Sequence, residues 1–273
     1  MIIIYMNINN EYIKEIYELV NKLCPNIRKP KYDFYYYIEN IILMLTDLIK
    51  WSSLKKIHKN KKKYHYKTIY RTFVKWSKLN IFNIAYDNII KKYVLEDINS
   101  STILNLFLDT TISINKHGSE LATYGQIKKH KTTKTSICCD KNNIIYGTLC
   151  YKGSEHDVNT IEDMADEIAS KTNFRKINFI SDKAYIMTKK NKEKLLEKKV
   201  KVITPYRKNQ KNKKTGKKLQ NTKKEKDKLN LRYKIEHVNN TIKKYDRLNL
   251  RKDRLIHTFK SFLFLAIGRN LFL

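Results

Sequence analysis

The spacing of apolar residues changes near residue 100, and this change most constrains the fold. Before it, apolar positions recur at helical intervals from about Asn10 to Leu95. After it, short apolar runs bounded by turn residues predict strands at 104–108, 133–140 and 144–151, a helix at 158–170, a strand at 176–180, a helix at 188–197, a strand at 200–203, and then further helices. This order predicts an all-helical segment followed by an α/β domain.

The order of the predicted strands and helices also favours one type of sheet. Three strands with no helix between them favour an antiparallel meander, and the later alternation of helix and strand favours parallel neighbours. We therefore expect a mixed sheet flanked by helices, which is the element order of the ribonuclease H-like fold. We expect a small all-helical DNA-binding region at 1–98 and the sheet domain at 99–273. A basic loop at about 206–228 is either mobile or an arm that becomes ordered on a polyanion.

The charge balance indicates a polyanionic partner. Lys and Arg number 57 against 26 Asp and Glu, which leaves a net charge of +31. Nucleic acid is the leading partner for such a chain, and an anionic membrane surface is the weaker alternative because the charge is not confined to one helix. No apolar run approaches the roughly 18 residues of a membrane span. We expect an intracellular protein, in the cytoplasm or nucleoid, or in the nucleus or a viral factory of another host.

One predicted helix, at 66–79, has two contrasting faces. Its apolar face carries Ile69, Phe73 and Trp76. The opposite face carries four cations at helical spacing, namely Lys67, Arg71, Lys75 and Lys78. These cations belong either to an ordinary solvated helix face or to a recognition helix that is presented to DNA.

Three carboxylates occupy positions at which a charge is uncommon. Asp109 and Asp182 are each predicted at the end of an apolar strand, and Glu236 lies on a helix predicted at 229–245. Hard oxygen ligands of this kind suit a pair of Mg²⁺ ions that catalyse phosphoryl transfer. The alternative is structural: the two aspartates would cap loops, and Glu236 would pair with Arg232 one turn earlier. A fourth carboxylate, Asp157, precedes the helix at 158–170 and is interpreted as its N-cap.

The local sequence around these carboxylates resembles a known family. The blocks are Leu108-Asp109-Thr110-Thr111; Gly125 with Lys128-Lys129-His130-Lys131-Thr132-Thr133-Lys134; Ser181-Asp182-Lys183-Ala184-Tyr185; Thr204-Pro205-Tyr206-Arg207-Lys208-Asn209; and Arg232-Tyr233-Lys234-Ile235-Glu236-His237-Val238-Asn239. In order and spacing they resemble the catalytic domain of DDE transposases from bacterial insertion sequences, in the fourth- and fifth-family group. The resemblance extends from about Tyr32 to the C-terminus.

The resemblance implies specific roles for residues of this chain. Asp109, Asp182 and Glu236 would be the catalytic and metal-binding triad, with two Mg²⁺ ions for which Mn²⁺ can substitute. Arg232 and Lys243 match the Arg and Lys of the family's Tyr-x2-Arg-x3-Glu-x6-Lys signature, whereas Leu229 stands in place of its Tyr. Further phosphate contacts are expected from three cations that lie near the carboxylates in sequence blocks of the family, namely Lys134, Arg207 and Lys208.

The implied activity is metal-dependent cleavage and strand transfer at the terminal inverted repeats of an insertion element. Double-stranded DNA, as element ends and as target, would be the partner, and a homodimer is expected in the DNA complex. Two alternatives stay open at this point. One is a catalytically retired transposase that acts as a DNA-binding protein, and the other is a ribonuclease H-like nuclease that cuts without strand transfer.

Overall fold

The computed structural model describes residues 10–24, 33–47, 49–57, 65–92, 103–115, 119–125, 127, 129–172, 176–207, 209–210, 215 and 217–270. The helices before the first strand are α1 (Asn10–Leu23), α2 (Phe34–Thr46), α3 (Leu54–Ile57), α4 (Tyr66–Lys78) and α5 (Ile81–Ile90). The later helices are α6 (Thr160–Ala169), α7 (Lys189–Glu197), α8 (Lys223–Asn230), α9 (Tyr233–Lys243), α10 (Asp246–Asn249) and α11 (Ile256–Arg269). Within the described part of the chain, no helix is long and apolar enough to cross a bilayer.

The described residues also form a seven-stranded mixed sheet. Its strands are β1 (Ile103–Asn115), β2 (Thr123–Tyr124), β3 (Lys131–Cys139), β4 (Ile145–Lys152), β5 (Lys176–Ile180), β6 (Val200–Ile203) and β7 (Leu250–Arg251). Strand β3 pairs antiparallel with β1 and β4, whereas β5 pairs parallel with β1 and β6. The antiparallel meander and the parallel half are both as predicted, and the expected ribonuclease H-like fold with preceding helices is confirmed.

Helix α4 has the two faces that its spacing predicts. Ile69, Phe73 and Trp76 are at most 3% exposed, and the indole of Trp76 packs against the rings of Phe34 and Tyr37. Trp76 is therefore a core residue and not a surface for stacking bases. The four cations of the opposite face, Lys67, Arg71, Lys75 and Lys78, are all exposed.

Helices cover both faces of the sheet and bury a hydrophobic core on each. On one face, α6 and α7 pack over Leu106 and Leu108 of β1. On the other face, the core that includes Phe107 extends through α9, α10 and α11 into the N-terminal helices. These N-terminal helices therefore share a core with the C-terminal ones. The predicted domain boundary at 98–99 lies outside the described residues.

Two predicted boundaries in the C-terminal part are wrong. The last six residues of the predicted loop at 206–228 belong to helix α8, which begins with a capping box between Thr222 and Glu225. The helix predicted at 229–245 begins only at Tyr233, and Leu231, expected on its apolar stripe, is 40% exposed. The composition of this segment, poor in apolar residues, suggests a loop up to residue 228. The hydrogen bonds of the capping box nevertheless stabilise a helix from residue 223 onwards.

Candidate active site

Strand register brings Asp109 and Asp182 together. Phe107 of β1 is the parallel partner of Ile180 in β5, and Ile180 is the last residue of its strand. Asp109 and Asp182 each lie two residues beyond this pair, so they stand at the same level on neighbouring segments. The prediction that Asp109 ends its strand is wrong, because β1 continues to Asn115 along β3. Asp109 instead marks the point at which β1 loses its β5 neighbour.

The carboxyl of Asp109 has a perturbed pKa. Burial, and to a smaller extent the nearby Asp182 charge, raise this pKa, although the backbone amide of Thr110 and the Arg232 charge oppose the shift, and the net value is about 6. From helix α9, the amide Nδ2 of Asn239 donates a hydrogen bond of 3.0 Å to Oδ2 of Asp109. Asn239 was not predicted from sequence to be a site residue. Its spacing of one turn from Glu236 was the signal that could have indicated it.

The raised pKa of Asp109 predicts a pH-dependent stability. The unfolded carboxyl, with a pKa near 3.8, loses its proton before the folded one at about 6, so ionisation destabilises the fold as the pH rises from about 4 to 6. Without divalent cations, we expect the Asp109→Asn variant to be more stable than the wild type at pH 7.5, by about 1–3 kcal/mol. Thermal unfolding in EDTA between pH 4 and 8 measures this difference. A difference that does not shrink towards pH 4 would contradict it.

Glu236 lies on the same helix as Asn239 but faces a cation. Its Oε1 is 2.8 Å from a guanidinium nitrogen of Arg232, and its side chain is 54% exposed. Among the described residues, no group of three or more His, Cys, Asp and Glu side chains is arranged to share a metal ion. The structure thus brings Asp109 and Asp182 to one level of the sheet and leaves Glu236, on α9, paired with Arg232.

Asp157 is not a helix cap, contrary to the interpretation from sequence. Its Oδ1 accepts hydrogen bonds from the Thr110 hydroxyl at 2.9 Å and from the Lys134 ammonium at 2.7 Å. The Lys134 ammonium also donates to the carbonyl of Glu155 at 2.7 Å, and the Lys134 side chain is only 3% exposed. Lys134 was expected to be a surface cation that contacts DNA phosphate. The prediction of a surface position is wrong, because the ammonium is buried and pairs with Asp157.

Tyr185 lies behind the carboxylates in the core and was not singled out by its sequence position. Burial raises the pKa of its phenol, and the charges of Asp109, Asp157 and Asp182 raise it further. The residue is 1% exposed, and its side chain interacts with that of Thr110, which opposes part of the rise in its pKa. The phenol therefore stays protonated and is available as a donor on the buried side of the site.

The remaining predicted DNA contacts are distributed around this centre. Arg207 and Lys243 are exposed, and Arg232 is half-buried at the start of α9. Lys208 lies outside the described residues. Arg232 directly precedes α9, and its charge acts on Asp109; Lys243 is the last residue of α9, and the four cations of α4 belong to the helical region.

Comparison with known families identifies the family of the domain that contains these residues. A family model described as the transposase DDE domain matches residues 106–271, which is more than half of the chain. The chain belongs to this family. Searches of curated proteins and of solved structures found no match. The matched region of this DDE transposase contains Asp109, Asp182 and Glu236, and the resemblance predicted from sequence is confirmed at the level of DDE transposases. The insertion-sequence group stays a prediction.

The two adjacent carboxylates fit a divalent metal cation. They provide hard oxygen donors at one level of the sheet, which are the ligands that Mg²⁺ and Mn²⁺ prefer. The raised pKa of Asp109 shows that its negative charge lacks full compensation by the protein, and a bound cation would supply this compensation. Asp109 and Asp182 could therefore hold a metal, and Glu236 is the carboxylate that α9 carries.

Proposed function

We propose that this DDE transposase binds the terminal inverted repeats of an insertion element, cuts the DNA at the element's ends and joins the freed ends to target DNA. The observation that carries the proposal is the register that aligns Asp109 with Asp182 inside the matched transposase domain. Asp109, Asp182 and Glu236 form the proposed catalytic triad. Divalent Mg²⁺ or Mn²⁺, two ions in all, would supply Lewis-acid stabilisation of the phosphoryl group.

The residues of the chain have distinct parts in this proposal. Asp109 and Asp182 hold the metal-binding centre, and Asn239 orients the Asp109 carboxylate from the α9 side. Arg232 is a charge-assisted donor that suits a phosphate of the terminal DNA, and such a contact would compete with its pair to Glu236. Glu236 would then be free to complete the triad. Lys243, two turns after Glu236, adds a second cation on this helix.

The helical region up to about residue 98 is proposed to hold the DNA duplex. Support comes from α4, whose buried face anchors it in the core while its cationic face is exposed. Arg207 and the neighbouring Lys208 add cations after β6, where the segment rich in Lys and Asn begins. Joining needs two element ends in one complex, so a homodimer on DNA is part of the proposal.

Neutral substitutions on α4 are expected to weaken DNA binding and its salt dependence together. Each phosphate contact that is lost reduces the steepness of log K against log salt concentration by about 0.9. We expect Lys75→Gln/Lys78→Gln to bind duplex DNA less tightly, with a slope shallower by about 1–2. The matched control is Lys190→Gln/Lys192→Gln on α7, whose exposed cations lie on the opposite side of the sheet. Equal changes in both variants, measured by fluorescence anisotropy, would count against a DNA-binding role of α4.

Cleavage of a linear DNA that carries the element's own end tests the proposed activity. The purified protein is expected to cut at the end with Mg²⁺ or Mn²⁺ and to be inactive in EDTA. Products joined to a second DNA identify a transposase, and cut products that are never joined identify a nuclease. Binding without any cutting would overturn the catalytic proposal in favour of a DNA-binding relic.

A further inference from the structure

A buried ion pair lies on the opposite face of the sheet from the Asn239 contact. Lys134 on β3 and Thr110 on β1 both point to the side covered by α6, because β3 and β1 are paired and alternate residues share a face. Asp157 meets both side chains there, at 2.7 Å and 2.9 Å. Its side chain is 12% exposed, against 3% for Lys134, so water screens this pair poorly.

Stability alone does not account for such a pair. Removing two charges from water costs free energy that their attraction rarely exceeds, and apolar replacements of buried pairs are often neutral or stabilising. The pair does, however, impose geometry, since Lys134 bridges Asp157 and the Glu155 carbonyl while Asp157 holds the Thr110 hydroxyl. The backbone at Asp157 is itself fixed, because its carbonyl accepts a 2.8 Å hydrogen bond from the Thr160 hydroxyl at the start of α6.

The residue that Asp157 holds is the immediate neighbour of Asp109. Successive side chains of a strand point to opposite faces, so Thr110 is held from the α6 side while Asn239 of α9 holds the Asp109 carboxylate from the other. At this point β1 has lost its β5 neighbour, and one flank of the strand lacks ladder hydrogen bonds. The pairing with β3 holds the other flank, so side-chain contacts add the restraint that β5 no longer supplies.

We propose that Asp157, neutralised by Lys134, is a positioning residue that fixes Asp109 through the Thr110 hydroxyl. The inference rests on the proposed function, because Asp109 is taken as a ligand of the catalytic metal. It assigns no contact between Asp157 and the DNA or the metal. Partners behind metal ligands typically contribute about 10–100-fold in metal affinity or activity.

Two substitutions at Thr110 separate positioning from packing. Thr110→Val keeps the volume and removes the hydroxyl, whereas Thr110→Ser keeps the hydroxyl and removes a methyl group. If the Thr110 hydroxyl positions Asp109, the Val variant loses about 10–100-fold in cleavage rate and in Mn²⁺ affinity. The Ser variant then stays within about threefold of the wild type. DNA affinity is expected to be unchanged in both. A Ser variant that is impaired as much as the Val variant, or a Val variant that is unimpaired, would overturn the inference.

A second comparison uses Asp157 itself. Asp157→Asn should lower Mn²⁺ affinity as Thr110→Val does, whereas Asp163→Asn on α6, which removes an exposed carboxylate bonded to the Tyr151 hydroxyl, should leave it unchanged. Titration with Mn²⁺ alone, followed by the electron paramagnetic resonance of the free ion, needs no turnover. If the wild type binds Mn²⁺ but does not cut DNA, the proposed function fails and the Thr110 comparison still decides the inference. A wild type that binds no Mn²⁺ overturns both.

Discussion

Replacing Asp182 by Asn is expected to lower the rate of metal-dependent DNA cleavage by at least about 10³-fold, since a lost metal ligand removes several kcal/mol of transition-state stabilisation. Folding should be preserved. Oδ1 of Asp182 accepts a 2.7 Å hydrogen bond from the amide of Ala184, and the Asn side chain retains an oxygen that can accept it. DNA affinity should stay within about twofold, because phosphate contacts by cations supply most of that binding.

The matched control for Asp182 is an exposed carboxylate outside the site. Asp227→Asn on α8 makes the same change of charge and size, and it should cut DNA at the wild-type rate. Single-turnover cleavage in Mg²⁺, together with a binding isotherm for the same duplex, separates chemistry from affinity. Cutting by Asp182→Asn at more than about a tenth of the wild-type rate would remove Asp182 from the proposed triad.

Replacing Arg247 by Met is expected to lower the free energy of unfolding by about 3–5 kcal/mol, because it leaves a buried carboxylate without its counter-charge. Arg247 forms a two-pronged pair with Asp253, at 3.0 Å and 3.1 Å, and its side chain is only 3% exposed. It also donates to the carbonyls of Met44 and Ile49, and its guanidinium lies 4.6 Å from the ring centre of Phe262. A single side chain thus joins α2, α10 and α11.

Thermal unfolding measures the Arg247 effect. A loss of 3–5 kcal/mol corresponds to a fall in Tm of about 6–20 °C for a chain of this size. The double variant Arg247→Met/Asp253→Leu should recover part of this loss, since it removes the unpaired charge. Arg254→Met, which changes an exposed Arg nearby, is the control and should shift Tm by less than about 2 °C. Unchanged Tm in Arg247→Met would show that the pair does not hold these helices together.

The elements that the sequence predicts correctly are those that depend on local pattern. The strands predicted at 176–180 and 200–203 coincide with β5 and β6, and the two faces of α4 follow its apolar spacing. These features depend on side chains that alternate or recur within a few residues. The start of α9 and the presence of α8 do not follow from apolar spacing. Caps and turns set these boundaries, and apolar spacing does not report them.

The local environments expected for Lys134 and Asp157 differ from those in the structure. Each has an ordinary local interpretation, as a surface cation and as a helix cap, and each is wrong because the two side chains meet across 23 positions of the chain. Asn239 and Tyr185 likewise reach the site only through packing of α9 and of the turn after β5. Contacts between residues distant in sequence are set by tertiary packing and leave no periodic trace in sequence.

The sequence by itself determined the order of the longer strands and helices, the cationic face of α4 and the resemblance to DDE transposases. Only the tertiary structure decided that Asp109 and Asp182 stand at one level, that Glu236 pairs with Arg232, and that a buried ion pair lies behind Thr110. The reason is physical. Apolar spacing is encoded residue by residue, whereas the strand register that aligns two distant carboxylates follows from burying whole faces of the sheet together.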